Sequence, residues 1–156
     1  MNQPQPQVVW FQNQIKISKR RGSHLITNEV IRCVSQQLKT IKVGMCNVFL
    51  MHTSASLCIN ENCDPCLIFS CDVAVRKDME TIFNKLIPDG TKPYEHCMEG
   101  DDDMPAHAKC SMFGCSLNIP IREGDLCLGT WQGIYLNEHR DNGGSRTIVV
   151  TLNGIK

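Results

Sequence analysis

Ser116-Leu-Asn-Ile-Pro-Ile-Arg-Glu-Gly-Asp-Leu126 is the stretch that decides the fold class. Leu117, Ile119 and Ile121 alternate with polar or turn-forming neighbours, the period of a strand with one buried face. Glu123-Gly124 then reverses the chain. Leu126–Asn137 reads as a long strand, Asp141-Asn-Gly-Gly-Ser145 as a second turn, and Arg146–Leu152 as a closing strand. Tight turns between such runs predict antiparallel hairpins.

Upstream the pattern is mixed. Residues 1–7, polar and rich in Pro and Gln, read as a disordered tail, and the domain is expected to span residues 8–156. Val8–Ser18 alternates like a strand, and Lys19-Arg-Arg-Gly22 is a basic turn. Thr27 is placed to cap a helix, Glu29 suits its positive end, and Val30, Ile31, Val34, Leu38 and Ile41 recur at helical spacing. Met45–Met51 is a short apolar strand that His52–Glu61 is expected to continue. Along that continuation His52, Ser54, Ser56 and Asn60 share one face, and Thr53, Ala55, Leu57 and Ile59 the other. The polar face suits either a ligand or plain solvent.

Asp64-Pro65 opens the longest helix, a capping aspartate followed by proline where no N–H is needed. Its expected apolar stripe is Ile68, Cys71, Val75, Met79, Ile82 and Leu86. A loop over 89–104 and a short helix near Pro105–Phe113 lead back to the closing strands. Strands at both ends with helices between argue an α+β domain.

Composition narrows the function classes. The 156 residues suit one core, and 42% hydrophobic content is ordinary for a globular chain. Net charge is zero, which removes long-range attraction to nucleic acid or an anionic membrane. No apolar run approaches a membrane span, and Met1–Gln7 lacks the basic-then-apolar pattern of a signal peptide, so a cytoplasmic protein is expected. Ten cysteines sit among periodic helices and strands rather than in a small loop-rich chain. Mostly reduced thiols is the corresponding expectation.

The chemistry concentrates in Tyr94-Glu-His-Cys-Met-Glu-Gly-Asp-Asp-Asp-Met-Pro-Ala-His-Ala-Lys109. His96 and His107 with Glu95, Glu99, Asp101, Asp102 and Asp103 are the donor types that zinc and similar ions take. A solvated acidic loop is the competing reading. His107 and Cys110 share a helical face. His24 and His139 stand alone among charged neighbours, the usual setting of surface histidines. Cys63-Asp-Pro-Cys66 at a helix start has the geometry that lowers thiol pKa, without the βαβ setting of a thioredoxin. Asn142-Gly-Gly-Ser-Arg146 is either a hairpin turn or an anion-binding turn with Arg140 and Arg146 as forks. No P-loop, dinucleotide fingerprint or nucleophile elbow is present.

Several of these stretches together resemble the YjbQ-like family, also called the secondary thiamine-phosphate synthase family. They are His52–Pro65, Tyr94–Gly100, Asp102–His107, Gly129–Leu136, Glu138-His-Arg140 and Gly143–Arg146, spread from about Val9 to Leu152. The resemblance implies an α+β fold with a β-sandwich-like antiparallel sheet core, two main helices and a short third, assembled as a homotrimer. It implies a site near subunit boundaries where His52, His96 and His107 hold a divalent metal ion, zinc or magnesium. Asp103, Glu61 and Gln132 are then candidate catalytic residues, with Asn60 nearby, and Arg140, Arg146 and Ser145 candidate phosphate-binding residues. Cys63 and Cys66 depart from the Ala or Thr common in the family, so the thiol pair is peculiar to this chain. The implied activity joins a pyrimidine diphosphate to a thiazole phosphate with release of pyrophosphate. A non-catalytic metal- or anion-binding module is the alternative.

Overall fold

The computed structural model describes residues 5–62, 71–90, 92 and 94–156. Eleven elements alternate along it: β1 (Val8–Ser18), β2 (Gly22–Leu25), α1 (Thr27–Leu38), β3 (Val43–Leu50), β4 (Ala55–Glu61), α2 (Cys71–Leu86), α3 (Asp103–Phe113), β5 (Ser116–Arg122), β6 (Asp125–Leu126), β7 (Gln132–Glu138) and β8 (Ser145–Ile155). They build two antiparallel sheets, one in the order β1-β8-β3-β5-β6 and one in the order β2-β7-β4. The α+β expectation, with two longer helices and a shorter third, holds.

Period-2 patterning explains how the sheets meet. On β8 the residues Arg146, Ile148, Val150 and Leu152 are buried and their neighbours are not. Across the register Leu152 meets Phe11 and Cys46, and Ile148 meets Ile15 and Leu50. The facing row on the small sheet is Leu57, Ile134 and Leu136, and α1 adds Val30, Val34 and Leu38 to the same cluster. Each such side chain, fully buried, stabilises the fold by about 1.5–3 kcal/mol. One sheet face, a second sheet face and one helix stripe thus close a single core.

The structure departs from the sequence reading at the joins. Residues 52–61 do not continue β3; the chain bends at 51–54 and starts β4 in the other sheet. The expected strand over 126–137 is likewise split, with Leu126 in the large sheet and Gln132–Glu138 in the small one. Residues 139–144 join β7 to β8, which belong to different sheets, so that turn is a crossing and not a hairpin. Only β5 and β6 form the expected late hairpin, closed by positive φ at Glu123 and Gly124. A period of two marks a buried face without saying which sheet owns it.

Smaller corrections have local causes. Thr27 does not cap α1: its hydroxyl instead accepts the Ile134 N–H at 2.9 Å, tying the helix to β7. The inward residues are Phe83 on α2 and Ile87 just past its end, while Ile82 and Leu86 are 46% and 59% exposed. The helix turns toward β2 the face carrying Glu80 and Asn84, which grip Arg21. Ile68 and the Asp64-Pro65 cap lie outside the described residues, as do Cys63 and Cys66. Of the expected tail, Gln7 is tied down, its carbonyl accepting the Lys156 N–H at 3.1 Å. Cys33, Cys46, Cys58, Cys97, Cys110, Cys115 and Cys127 are free thiols. Burial, reinforced by Cys33, pushes the Cys46 thiol up to about 12, so it packs as a small hydrophobe.

Candidate functional site

The site forms where the core rows of both sheets run out at one rim. Leu50 and Ile148 are register partners, and the next inward positions beyond them are His52 and Arg146, whose Nε2 and Nη1 stand 2.5 Å apart. On the small sheet Ala55 pairs with Glu138, one step past the Leu57–Leu136 pair. Polar side chains therefore occupy positions that a longer core would have filled with leucine. Glu138 and Arg146 are both buried, joined by Nε to Oε2 and by Nη2 to Oε1 at 2.7 Å each. Gly143 stands over this pair, because a Cβ there would collide with the Glu138 carboxylate.

The second wall comes from the acidic stretch and α3. Asp103 lies in the first turn of α3, rather than in a loop before it, and is 1% exposed. One carboxylate oxygen, Oδ2, lies 2.7 Å from His96 Nε2 and 3.3 Å from His107 Nε2; the other is paired with Arg140 Nη1. The four-residue spacing on one helix brings Asp103 and His107 to the same face. Arg140 also donates through Nη2 to the Glu99 carbonyl at 2.8 Å, and its Nε lies 3.1 Å from Asp102 Oδ2. Burial would raise the Asp102 carboxyl, but the Asp141 N–H and the Arg140 charge outweigh it and hold it below the usual range. Arg140 thus braces the acidic stretch from the wall of the cleft.

Hydrogen bonds on the far side of each ring orient the histidines. His107 Nδ1 lies 2.9 Å from the Thr53 carbonyl and 3.2 Å from Ser54 Oγ. The His52 ring receives the Ser54 N–H on Nδ1 at 3.0 Å. Burial, followed by the Arg146 charge, pushes His52 below its ordinary pKa, so its ring is neutral at pH 7. Together these groups line a polar cleft of about 410 Å³, with Glu99, Asn142 and Gly143 on its edge.

Beneath the site lies a buried polar layer. His139 Nε2 meets Ser56 Oγ at 3.0 Å, Asn137 donates to Ser56 at 3.2 Å, and Ser23 donates to Asn137 at 2.6 Å. His139 is a buried residue, not the surface histidine expected, and its ring sits edge-on to Phe83. Burial first, then the charges of Lys109 and Arg21, push it down to about 3. Ser54 and Ser56 are buried and α3 packs against β4, so the plain-solvent reading fails for these two serines. Lys109, also buried, donates to Asn84 at 2.8 Å and fastens α3 to α2.

The structure brings His52, His96, Asp103, His107, Arg140 and Arg146 into one cleft. Among the described residues, the ligand atoms of His96, Asp103 and His107 fall within 4.8 Å of one another; His52 does not join that group. Glu61 and Gln132 pair at the opposite end of the small sheet, about 20 Å away at some 3.3 Å per residue. Asn60 is beside them. Ser145 is exposed at the start of β8 and does not line the cleft. Sequence reasoning missed Glu138 and Thr53 as site residues, and reached Ser54 and Gly143 only as members of a polar strand face and of a candidate anion-binding turn. A usable signal existed for Glu138: it is a carboxylate that continues, in steps of two residues, the inward row of Ile134 and Leu136.

Fold and rim together define a small α+β protein with a histidine–carboxylate–arginine cleft at the junction of two sheets. Residues 12–155 match the family model described as UPF0047 protein YjbQ-like, and the chain belongs to that family. It is 50% identical over 147 residues to UPF0047 protein YjbQ of Salmonella typhimurium, covering 94% of this chain and 99% of that protein. The UPF0047 protein YugU of Bacillus subtilis is 36% identical, covering 90% of this chain and 96% of its own length. Among solved structures, a YjbQ/UPF0047-family protein of Clostridium acetobutylicum superposes with a TM-score of 0.70 at 36% identity, covering 94% and 99% of the two chains. A YbjQ-like protein of Sulfolobus solfataricus gives 0.79 at 26% identity, covering 95% and 99%. The resemblance in the motifs is borne out at the level of family and fold. None of the described helices is long and apolar enough to cross a membrane.

Proposed function

We propose that the cleft binds a divalent cation on His96, Asp103 and His107 beside a phosphorylated small molecule, and that the protein is a metal-assisted enzyme acting on it. The carrying observation is His107. Its Nδ1 faces a carbonyl that only accepts, so Nδ1 bears the proton and the bare Nε2 points at Asp103 Oδ2. Two acceptors 3.3 Å apart call for a cation or an extra proton between them. A backbone carbonyl holding the far nitrogen is the usual support of a metal-ligating imidazole. Two imidazoles and one carboxylate suit zinc better than magnesium, which prefers an all-oxygen shell, and leave a position open.

A divalent ion, when bound, would supply positive charge to a departing phosphate or pyrophosphate. This chain's own contribution is positioning. Glu138 aims Arg146 at the cleft, Arg140 holds Asp103, and Thr53 and Ser54 fix the rings. Thiamine-phosphate formation, from a pyrimidine diphosphate and a thiazole phosphate, is the named candidate reaction. Turnover of those two substrates by wild type, with His107→Ala and Arg146→Ala compared, tests it; equal rates in all three sink the catalytic assignment. A binding module is the second reading, favoured by one observation: both Asp103 oxygens already have partners, and Glu61 and Gln132 stand far away. It expects ligand-dependent stabilisation without conversion.

Cytoplasmic residence fits the free thiols of the described cysteines. A homotrimer would cover the outer face of the large sheet, where Val8, Trp10, Val43, Met45 and Phe49 are exposed. Sedimentation equilibrium decides it; a monomer at micromolar concentration removes the trimer.

A further inference from the structure

We propose that His52 acts in this cleft as a neutral hydrogen-bond donor that grips a ligand phosphate together with Arg146, rather than as a third ligand of the cation. The inference rests on the cation-plus-phosphate reading above and separates three histidines that the family resemblance groups together.

Proton positions separate them. A neutral imidazole carries one N–H and one lone pair. In His107 the Thr53 carbonyl takes the Nδ1 proton at 2.9 Å, which frees the Nε2 lone pair for the acidic side of the cleft. His52 is placed differently. Its Nδ1 faces the Ser54 N–H at 3.0 Å and its Nε2 faces Arg146 Nη1 at 2.5 Å; both groups can only donate, so the one lone pair of the neutral ring leaves one donor unmatched. Ligation of a cation through Nε2 would put the ring proton on Nδ1, facing the Ser54 N–H, and would set the cation against the Arg146 guanidinium. The structure provides His107 with the support of a metal ligand and denies it to His52.

What His52 Nε2 does face is another donor. Arg146 Nη1 stands 2.5 Å away, and the other two edges of that guanidinium, Nε and Nη2, are committed to Glu138. With the lone pair given to the Ser54 amide, His52 Nε2–H and Arg146 Nη1 are two donors at the wall of one cleft, and an oxyanion that presents its lone pairs to them leaves every donor around the ring matched. Arg140 is held on the acidic side of the cleft by Asp103 and the Glu99 carbonyl. The cation and the phosphate thus have separate protein partners: His96, Asp103 and His107 for the first, His52 and Arg146 for the second.

Calorimetric titration of the full chain with zinc alone, then of the zinc-loaded protein with inorganic phosphate, separates the two roles. His52→Leu is expected to bind zinc within about twofold of wild type and phosphate at least about tenfold more weakly, the loss of one hydrogen bond to a charged acceptor. His107→Leu is expected to lose zinc affinity instead. His52→Gln, which keeps a donor, should recover part of the phosphate affinity. Zinc affinity falling as far in His52→Leu as in His107→Leu would overturn the proposal. A long-range proton–nitrogen NMR spectrum of the metal-free wild type needs no variant: Nε2–H on His52 supports it, and Nδ1–H overturns it. Should zinc fail to bind while phosphate binding still depends on His52, the cation reading falls and the His52 assignment stands. Should zinc bind as expected while phosphate binds all variants equally, the reverse holds.

Discussion

Glu138 holds Arg146 through two hydrogen bonds of 2.7 Å, with both side chains withdrawn from solvent at the end of a core row. A buried pair of this kind gives little net stability when intact, because desolvation cancels most of the attraction. Breaking it is different, since one charge stays buried alone. Glu138→Gln keeps the shape and removes the charge. Urea denaturation should show a loss of about 3–5 kcal/mol. A loss under about 0.5 kcal/mol would mean that Arg146 finds water, contrary to its burial.

Gly143 is required by space, not by backbone freedom. A methyl group at that position would strike the Glu138 carboxylate, which is clamped by Arg146 and cannot step aside. Gly143→Ala should therefore destabilise the fold by about 1–3 kcal/mol and weaken phosphate binding with it. Unchanged stability and unchanged phosphate titration would show that the 139–144 crossing can shift outward.

Asp103 is the hinge between the acidic stretch and Arg140. Asp103→Asn removes a charged donor to the cation and loosens the guanidinium that braces Glu99 and Asp102. Zinc affinity, measured by competition with a chelator, should fall at least about 100-fold, beyond the 10- to 100-fold typical of outer-shell partners. The zinc-dependent rise in thermal stability should vanish in parallel; for wild type, zinc at 100 times its dissociation constant is worth about 2.7 kcal/mol. Equal chelator competition in both proteins would remove Asp103 from the cation site.

His139 makes the fold sensitive to acid. Burial, with Lys109 and Arg21 nearby, lowers its native pKa from 6.5 to about 3. The unfolded chain therefore binds a proton between those values that the native state refuses, and stability rises with pH there. That contribution is complete above about pH 6.5, is lost as pH falls, and levels off below about 3. His139→Gln should flatten the acid limb of a stability–pH curve. An unchanged limb would assign the acid sensitivity to the carboxylates alone.

Much of the fold was legible along the chain. Val30, Val34 and Leu38 on α1, and Ile148, Val150 and Leu152 on β8, are buried at the spacing that the sequence shows, because each element must bury one apolar face. The residue types of the site were legible too, with imidazole and carboxylate crowded between Tyr94 and Lys109. Three features were not. Local turn chemistry at Asn142-Gly-Gly could not reveal that β7 and β8 belong to different sheets. Alternation over 52–61 could not reveal that α3 packs against β4 and that Ser54 and Ser56 are buried. Motif matching placed Glu61 and Gln132 with the site, whereas strand register puts them at the other end of the same sheet.

The sequence by itself determined the α+β class, the inward rows and the side chains able to meet a cation or an anion, since periodicity and donor chemistry are local properties. Only the tertiary structure decided which of those side chains meet. His52 and Arg146 lie 94 residues apart and touch because β3 and β8 pair; Glu138 reaches Arg146 because two sheets close over one core. The direction in which each imidazole carries its proton depends on which backbone group stands behind the ring, and only packing supplies that group.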